Sequence, residues 1–266
     1  MSAASALPLA ARKMSEAIER RTTNLRTLKL TRNSEQRKDI VEEKAGFEIV
    51  RVKDIPWEDR RNVDNWPSRA GMFCDDQDNQ LCIRLIDYPK GSTEPRHVHG
   101  GMHATTVLKH HTIVDGVTLR PLDVVLGPSN EPHGPLHYPE SCQLLSAFQG
   151  SYYHSEVEKL STEKHYRLIQ QEQLPWEQGA HGEQVKTLVD RGCGRLLVQA
   201  IKFRPGASLP AKSYGQLHSA LIAFGGAEVE GVALGEWDFL RVREAQHGVV
   251  KFPQGATLLA LTMRAA

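Results

Sequence analysis

The sequence predicts an all-β chain: two small barrels in tandem, preceded by a partly helical extension. Three observations predict it. Short stretches that alternate or run apolar recur from Phe47 onward, among them FEIVRV, LCIRLI, ATTVL, DVVLG and CQLLSAF. Such runs suit strands that bury one or both faces. Pro and Gly separate them about every ten residues, the punctuation of a sandwich or barrel. Finally, the chain repeats itself. VKDIPWED (52–59) is echoed by QEQLPWEQ (171–178), and LCIRLIDYPKGSTEPRHVHGGMHATTVL (81–108) by LLVQAIKFRPGASLPAKSYGQLHSALIA (196–223). A constant offset of 115 residues places Gly91 on Gly206, Pro95 on Pro210, Gly100 on Gly215 and His103 on His218. Self-similarity over this length reads as two copies of one fold.

Residues 1–46 form the extension. Met14, Ile18, Leu25 and Leu28 have roughly helical spacing, and no aromatic residue precedes Phe47. Closely spaced Arg and Lys open the alternative of an organelle import segment. Glu16, Glu19, Glu35, Asp39, Glu42 and Glu43 dilute that signal and favour an arm that packs on the protein or on a second subunit. Residues 47–155 are the first barrel and 156–266 the second, with the charged run SEVEKLSTEKHYR (155–167) as linker.

Composition excludes several functions. Lys and Arg number 33 and Asp and Glu 32, so wholesale electrostatic binding of nucleic acid or an anionic membrane is not indicated. The longest apolar runs, such as Leu258 to Leu261, fall far short of the roughly 20 residues that span a bilayer. Cys74, Cys82, Cys142 and Cys193 form no C-x-x-C pair, and no secretory apolar core opens the chain. Reduced thiols in a cytoplasmic setting are the expectation.

Histidines are concentrated in the first copy. PRHVHGGMH (95–103) holds His97, His99 and His103, and EPHGPLHYP (131–139) adds His133 and His137. Residues two apart on a strand face the same side, so His97 and His99 point together. His103 keeps their parity after a bend at Gly100 and Gly101, where glycine lets the backbone kink. His137, on the expected neighbouring strand, is the preferred fourth ring, with His133 as its alternative. Convergent neutral imidazoles suit divalent first-row metals better than Mg or Ca. His110 and His111 lie further along and mark a hairpin end.

These residues resemble the metal motifs of the cupins. The first motif, G-x5-H-x-H-x3-4-E-x6-G, is matched by Gly91, His97, His99, His103 and His110. The second, G-x5-P-x-G-x2-H-x3-N, is met by Leu122 and Pro128, then an apparent insertion before His133 and His137. The resemblance covers about residues 47–266 and implies a bicupin, with a metal inside the first barrel. It implies His97, His99 and His137 as the usual histidine ligands and His103 in place of the usual glutamate. An imidazole there removes one negative charge and a base that could manage protons. The lead-in IPW and the stretch YPKGSTEPRHVHGG are similar to cupins of the acetylacetone dioxygenase, dihydroxyacetophenone dioxygenase and anti-sigma-factor types. In the second copy Lys212 and Tyr214 replace the first two ligands, His218 persists and Leu258 replaces the last. That copy reads as metal-free, covering the first or building a dimer.

The functional expectation is a metal-dependent enzyme, a non-haem dioxygenase acting on a small oxygen-chelating substrate of the diketone or hydroxy-ketone type. Its metal would be Fe(II) first, with Zn, Ni or Mn as the other candidates, and its partners the small-molecule substrate, O2 and a second copy of the chain. Strand position makes Arg84, Thr105, Tyr138 and Phe148 candidates for the pocket wall. The alternatives are a metal- or ligand-binding sensor or structural protein, and a metal-dependent isomerase or lyase on the same barrel.

Overall fold

The alternating stretches form strands, and nearly every one is antiparallel to its neighbours. A computed structural model describes residues 41–150, 154–156, 166–192, 195–211, 217–242 and 247–263. Residues 1–40 of the expected extension (1–46), most of the linker, Cys193, Lys212 and Tyr214 lie outside the described residues; Val41–Lys44, within that extension, is a strand. Two 3-10 turns and a single short α-helix, Arg60–Asp64, occur among those described. Asp59 caps its first turn, accepting from the Arg61 backbone N–H at 3.0 Å.

Each repeat builds one large sheet and one four-stranded sheet. The first large sheet has seven strands, in the order 167–169, 124–127, 102–109, 142–149, 81–88, 69–76 and 57–59. The second has eight, in the order 41–44, 47–50, 239–242, 217–225, 256–263, 196–203, 184–190 and 177–178. The small sheets correspond strand for strand: 117–119, 112–114, 136–138 and 92–94 in one, 232–234, 227–229, 250–252 and 207–209 in the other. Large sheet facing small sheet closes each barrel around apolar side chains. Tyr88, Val107, Val114, Leu119, Val125 and Leu144 fill the first, and Ile201, Phe203, Ile222, Val229, Leu240 and Phe252 the second. Central strands are buried on both faces, which is why MHATTVL and LHSALIA read as runs rather than alternations.

Two strands are exchanged between the repeats. Phe47–Val50 pairs with Phe239–Val242 in the second sheet, and Arg167–Ile169 pairs with Val124–Leu126 in the first. Phe47 and Ile49 accordingly belong to the second core and Tyr166 to the first. The same repeat-related contact anchors each exchange. Asp238 accepts the backbone N–H groups of Val52 and Gly235, each at 3.0 Å. Asp123, at the equivalent position, accepts those of Gln171 and Arg120, each at 2.7 Å. Both carboxylates are buried, so the backbone donors replace the water they lose. Residues 42–266 therefore form one compact unit.

Candidate metal centre

The histidines meet inside the first barrel, where strand geometry carries them. In His97–His99 both rings are buried while Val98 is half-buried, as period-two alternation requires. His133 arrives by backbone pairing. Its N–H donates to the His97 carbonyl at 3.0 Å, and the His97 N–H returns the bond at 3.1 Å. His103 follows on the strand Met102–Lys109, facing the same cavity. Ring centroids lie 4.6 Å apart for His97 and His99, 4.2 Å for His97 and His133, and 4.5 Å for His103 and His133. One ring nitrogen from each of His97, His99 and His133 lies within 4.8 Å of the others.

These rings are prepared as ligands. His97 Nδ1 donates to the Pro95 carbonyl at 2.8 Å, which leaves the Nε2 lone pair facing inward. That Nε2 lies 3.0 Å from His99 Nε2. Two atoms bonded to one ion at about 2.1 Å stand about 3.0 Å apart when cis, so this spacing fits a shared metal. Burial pushes both His97 and His133 down to about 4. His103 is driven well below the ordinary imidazole value, first by burial and then by its two histidine neighbours. At neutral pH all three are uncharged, the state in which a histidine binds metal.

His103 lies beside the other three rings but has its own partners. Its Nδ1 lies 3.2 Å from Thr105 Oγ1, which is itself 2.9 Å from Ser146 Oγ. Its Nε2 is buried without a hydrogen-bond partner and packs over Gly127, the residue paired with it across the sheet. A Cβ on Gly127 would come within 2.1 Å of that nitrogen. The glycine is thus the floor on which the ring lies.

The structure does not bring His137 to the cluster, which corrects the preference between the two candidates in EPHGPLHYP. On the strand Leu136–Tyr138 the two apolar-bodied residues turn inward and His137 turns out to solvent. Its Nδ1 faces Thr93 Oγ1 at 3.0 Å. His133 takes the inward place. The motif then reads without an insertion: Leu122 and Asn130 occupy its two glycine positions, with positive φ of 71° and 58°, and His133 and His137 fall on its His and Asn. His110 likewise occupies the closing glycine of the first motif with φ 61°.

Arg84, Thr105 and Phe148, the wall candidates from strand position, line the cavity beside the histidines. Arg84, Ser146 and Thr105 form one row across the sheet, each paired to the next. Tyr138 sits behind the wall, fully buried and stacked on Tyr88 at 4.0 Å. The cavity measures about 40 Å³, room for about three water-sized groups. Sequence reasoning missed Glu94 on this wall. Its carboxylate is buried, accepts the Tyr138 hydroxyl at 2.7 Å and lies 3.3 Å from His97 Nε2. Burial raises its pKa, against the Tyr138 hydrogen bond that lowers it. Nothing local distinguishes this glutamate from a solvated one, because its partner lies 44 residues away.

No protein-family model matches the chain, and no curated protein matches it in sequence. Solved structures do match. A candidate dioxygenase from Nostoc punctiforme PCC 73102 superposes with a TM-score of 0.63 at 13% identity, over 85% of this chain and 80% of its own. Oxalate decarboxylase from Bacillus subtilis gives 0.57 at 12% identity, over 81% and 76%. AerE from Microcystis aeruginosa gives 0.55 at 15% identity, over 74% and 92%. At such identities the likeness concerns the fold: the chain has the all-β, antiparallel fold of the cupin proteins, with a histidine cluster able to hold a metal ion inside it.

Proposed function

We propose that the protein is a metal-dependent bicupin enzyme, a non-haem dioxygenase acting on a small oxygen-chelating substrate of the diketone or hydroxy-ketone type. The observation that carries this reading is the convergence of three buried imidazoles on a cavity that also presents a buried guanidinium. His97, His99 and His133 would hold the ion, Fe(II) foremost. When bound, such an ion supplies Lewis acidity toward a chelating enolate and electrons to O2.

The chain's own residues do the rest. Arg84, on the cavity wall, offers guanidinium N–H groups to an anionic substrate oxygen. Thr105 and Ser146 hold the adjacent stretch of wall in one hydrogen-bonded row and fix the His103 ring. Trp66, Val125, Leu144 and Phe148 exclude water, which strengthens every charge interaction inside. The second repeat contributes packing. Its surviving His218 is engaged by Asp76 of the first repeat at 2.8 Å, and no second group of metal-ligating side chains occurs among the described residues.

The test is oxygen uptake by the Fe(II)-loaded protein on addition of acetylacetone or a hydroxyacetophenone. Uptake that matches carbon–carbon cleavage, and that falls at least tenfold in Arg84→Met, supports the reading. Turnover without oxygen would replace it with an isomerase or lyase. A protein that takes up Zn into a site closed to substrate would replace it with a sensor or structural role.

A further inference from the structure

The cupin motif puts a carboxylate where this chain has His103, so a metal in this barrel would lack an anionic ligand if the motif supplied its whole shell. The structure offers another carboxylate close by. Glu94 ends the strand Ser92–Glu94 and lies on the cavity wall. Its two oxygens face different surroundings. Oε2 accepts the Tyr138 hydroxyl at 2.7 Å. Oε1 is turned to His97 Nε2 at 3.3 Å. Behind the carboxylate Tyr138 stacks on Tyr88, and the Tyr88 hydroxyl accepts the Trp66 indole N–H at 3.0 Å. Aromatic packing and the tyrosine hydroxyl therefore aim Oε1 at the imidazoles.

That aim needs a proton or a cation between the two groups. His97 Nδ1 carries the ring proton, donated to the Pro95 carbonyl at 2.8 Å, so His97 Nε2 presents a lone pair. A carboxylate oxygen and an imidazole lone pair are both acceptors. Held 3.3 Å apart in a buried site, they repel unless a proton or a metal cation lies between them. The spacing matches that requirement. Ligands bonded at about 2.1 Å stand about 3.0 Å apart in an octahedron and about 3.4 Å in a tetrahedron. His97 Nε2 has one such neighbour in His99 Nε2 at 3.0 Å and another in Glu94 Oε1 at 3.3 Å.

We propose that Glu94 supplies a carboxylate oxygen to the same ion that His97, His99 and His133 hold, replacing from a neighbouring strand the anionic ligand that position 103 has lost. This rests on the metal reading above. Tyr138 is then a positioning residue that orients the ligating carboxylate, and His103 stands outside the ligand set, a neutral ring beside the substrate space. A site with one carboxylate keeps a divalent ion at net +1 rather than +2. It takes a hard first-row ion such as Fe(II) or Mn(II) more readily than imidazoles do by themselves.

The experiment is a titration of the chelator-stripped full chain with Co(II), followed by calorimetry and by the visible spectrum. The wild type should bind one equivalent. Glu94→Gln preserves shape and the bond from Tyr138, and should bind at least 100-fold more weakly with shifted absorption bands. Tyr138→Phe retains the carboxylate and should weaken binding about tenfold. Glu94→Gln binding as tightly as the wild type, with an unchanged spectrum, overturns the assignment and leaves a proton shared between Glu94 and His97. Should Glu94→Gln not fold by circular dichroism, a crystal structure of the wild-type Co(II) complex decides. Oε1 at about 2.1 Å from the ion supports the proposal, and a distance beyond about 3 Å overturns it. Failure of the wild type itself to bind Co(II) removes the metal reading along with this ligand, which distinguishes the two failures.

Discussion

Gly127→Ala should destabilise the first barrel through a single steric collision. Gly127 and His103 are paired across antiparallel strands. An added Cβ would lie 2.1 Å from His103 Nε2, 2.7 Å from Cδ2 and 3.0 Å from Cε1. Alanine accepts the backbone conformation there, so the cost is collision rather than dihedral strain. The ring has little freedom to retreat. Thr105 holds its Nδ1 at 3.2 Å, and the His133 and His99 rings stand 4.5 and 4.8 Å away. Overpacking of a filled core costs about 1–3 kcal/mol, and a three-atom clash against a braced ring belongs at the upper end, about 2.5 kcal/mol. Urea unfolding of the metal-free protein measures it, as a lowered midpoint at unchanged slope. The decisive comparison is a double-mutant cycle. With His103→Ala the ring is gone and the added methyl should cost under about 0.5 kcal/mol, a coupling of about 2 kcal/mol. Equal costs in both backgrounds would refute the packing argument.

Three further outcomes follow from buried titratable groups. His97 and His133 have folded-state values of about 4, lowered chiefly by burial from the ordinary imidazole value of about 6.5. The unfolded chain therefore binds more protons between those limits, and the stability that these rings contribute above pH 6.5 is lost as pH falls toward 4. Each accounts for about 2 kcal/mol between pH 7 and pH 5. Denaturant unfolding of the metal-free protein at the two pH values should show the drop, and His97→Asn with His133→Asn should abolish most of it. Glu94, with its raised pKa, works in the opposite sense, so Glu94→Gln should steepen the acid loss. Separately, Asp76→Asn should lower stability by about 3 kcal/mol in thermal unfolding, because it strips the shared anion from His218 at 2.8 Å and Arg241 at 2.9 Å. A change under about 0.5 kcal/mol would show that the network contributes nothing net.

Much of this architecture was legible because it depends on periodicity. The repeat exposed two copies of one fold, and period two placed His97 and His99 on one inward face. The ring that completes the trio was misjudged for a reason visible in the backbone. Turn positions that usually require glycine are occupied here by Leu122, Asn130 and His110, all with positive φ. Asparagine enters that region readily, and leucine seldom does. A search for glycine therefore inferred an insertion and passed His133 to reach His137. Had residue number been kept and glycine identity relaxed, His133 would have fallen on the motif's histidine. Glu94 is a different case. Its burial depends on Tyr138 and on the aromatic packing behind it, contacts that close only in three dimensions. Tyr138, a wall candidate from strand position, is drawn behind the cavity wall by stacking on Tyr88.

Strand exchange ties these observations together. A repeat alignment identifies equivalent strands but cannot say whose sheet each one joins. Here Arg167–Ile169, which follows the first copy in sequence, closes that copy's own sheet beside Val124–Leu126, just before the segment that delivers His133. The Tyr166 backbone N–H donates to Glu131 Oε1 at 3.1 Å, and the Tyr166 ring lies 6.3 Å from that of His133. The histidine that sequence reading ranked second is thus braced from beyond the linker. In return, Phe47–Val50 completes the second sheet, whose own residues His218 and Arg241 converge on Asp76 of the first. Each repeat lends the other a strand, so the second braces the histidine cluster while none of its described residues joins that cluster. It holds in place the chain that carries the strands from which the imidazoles project.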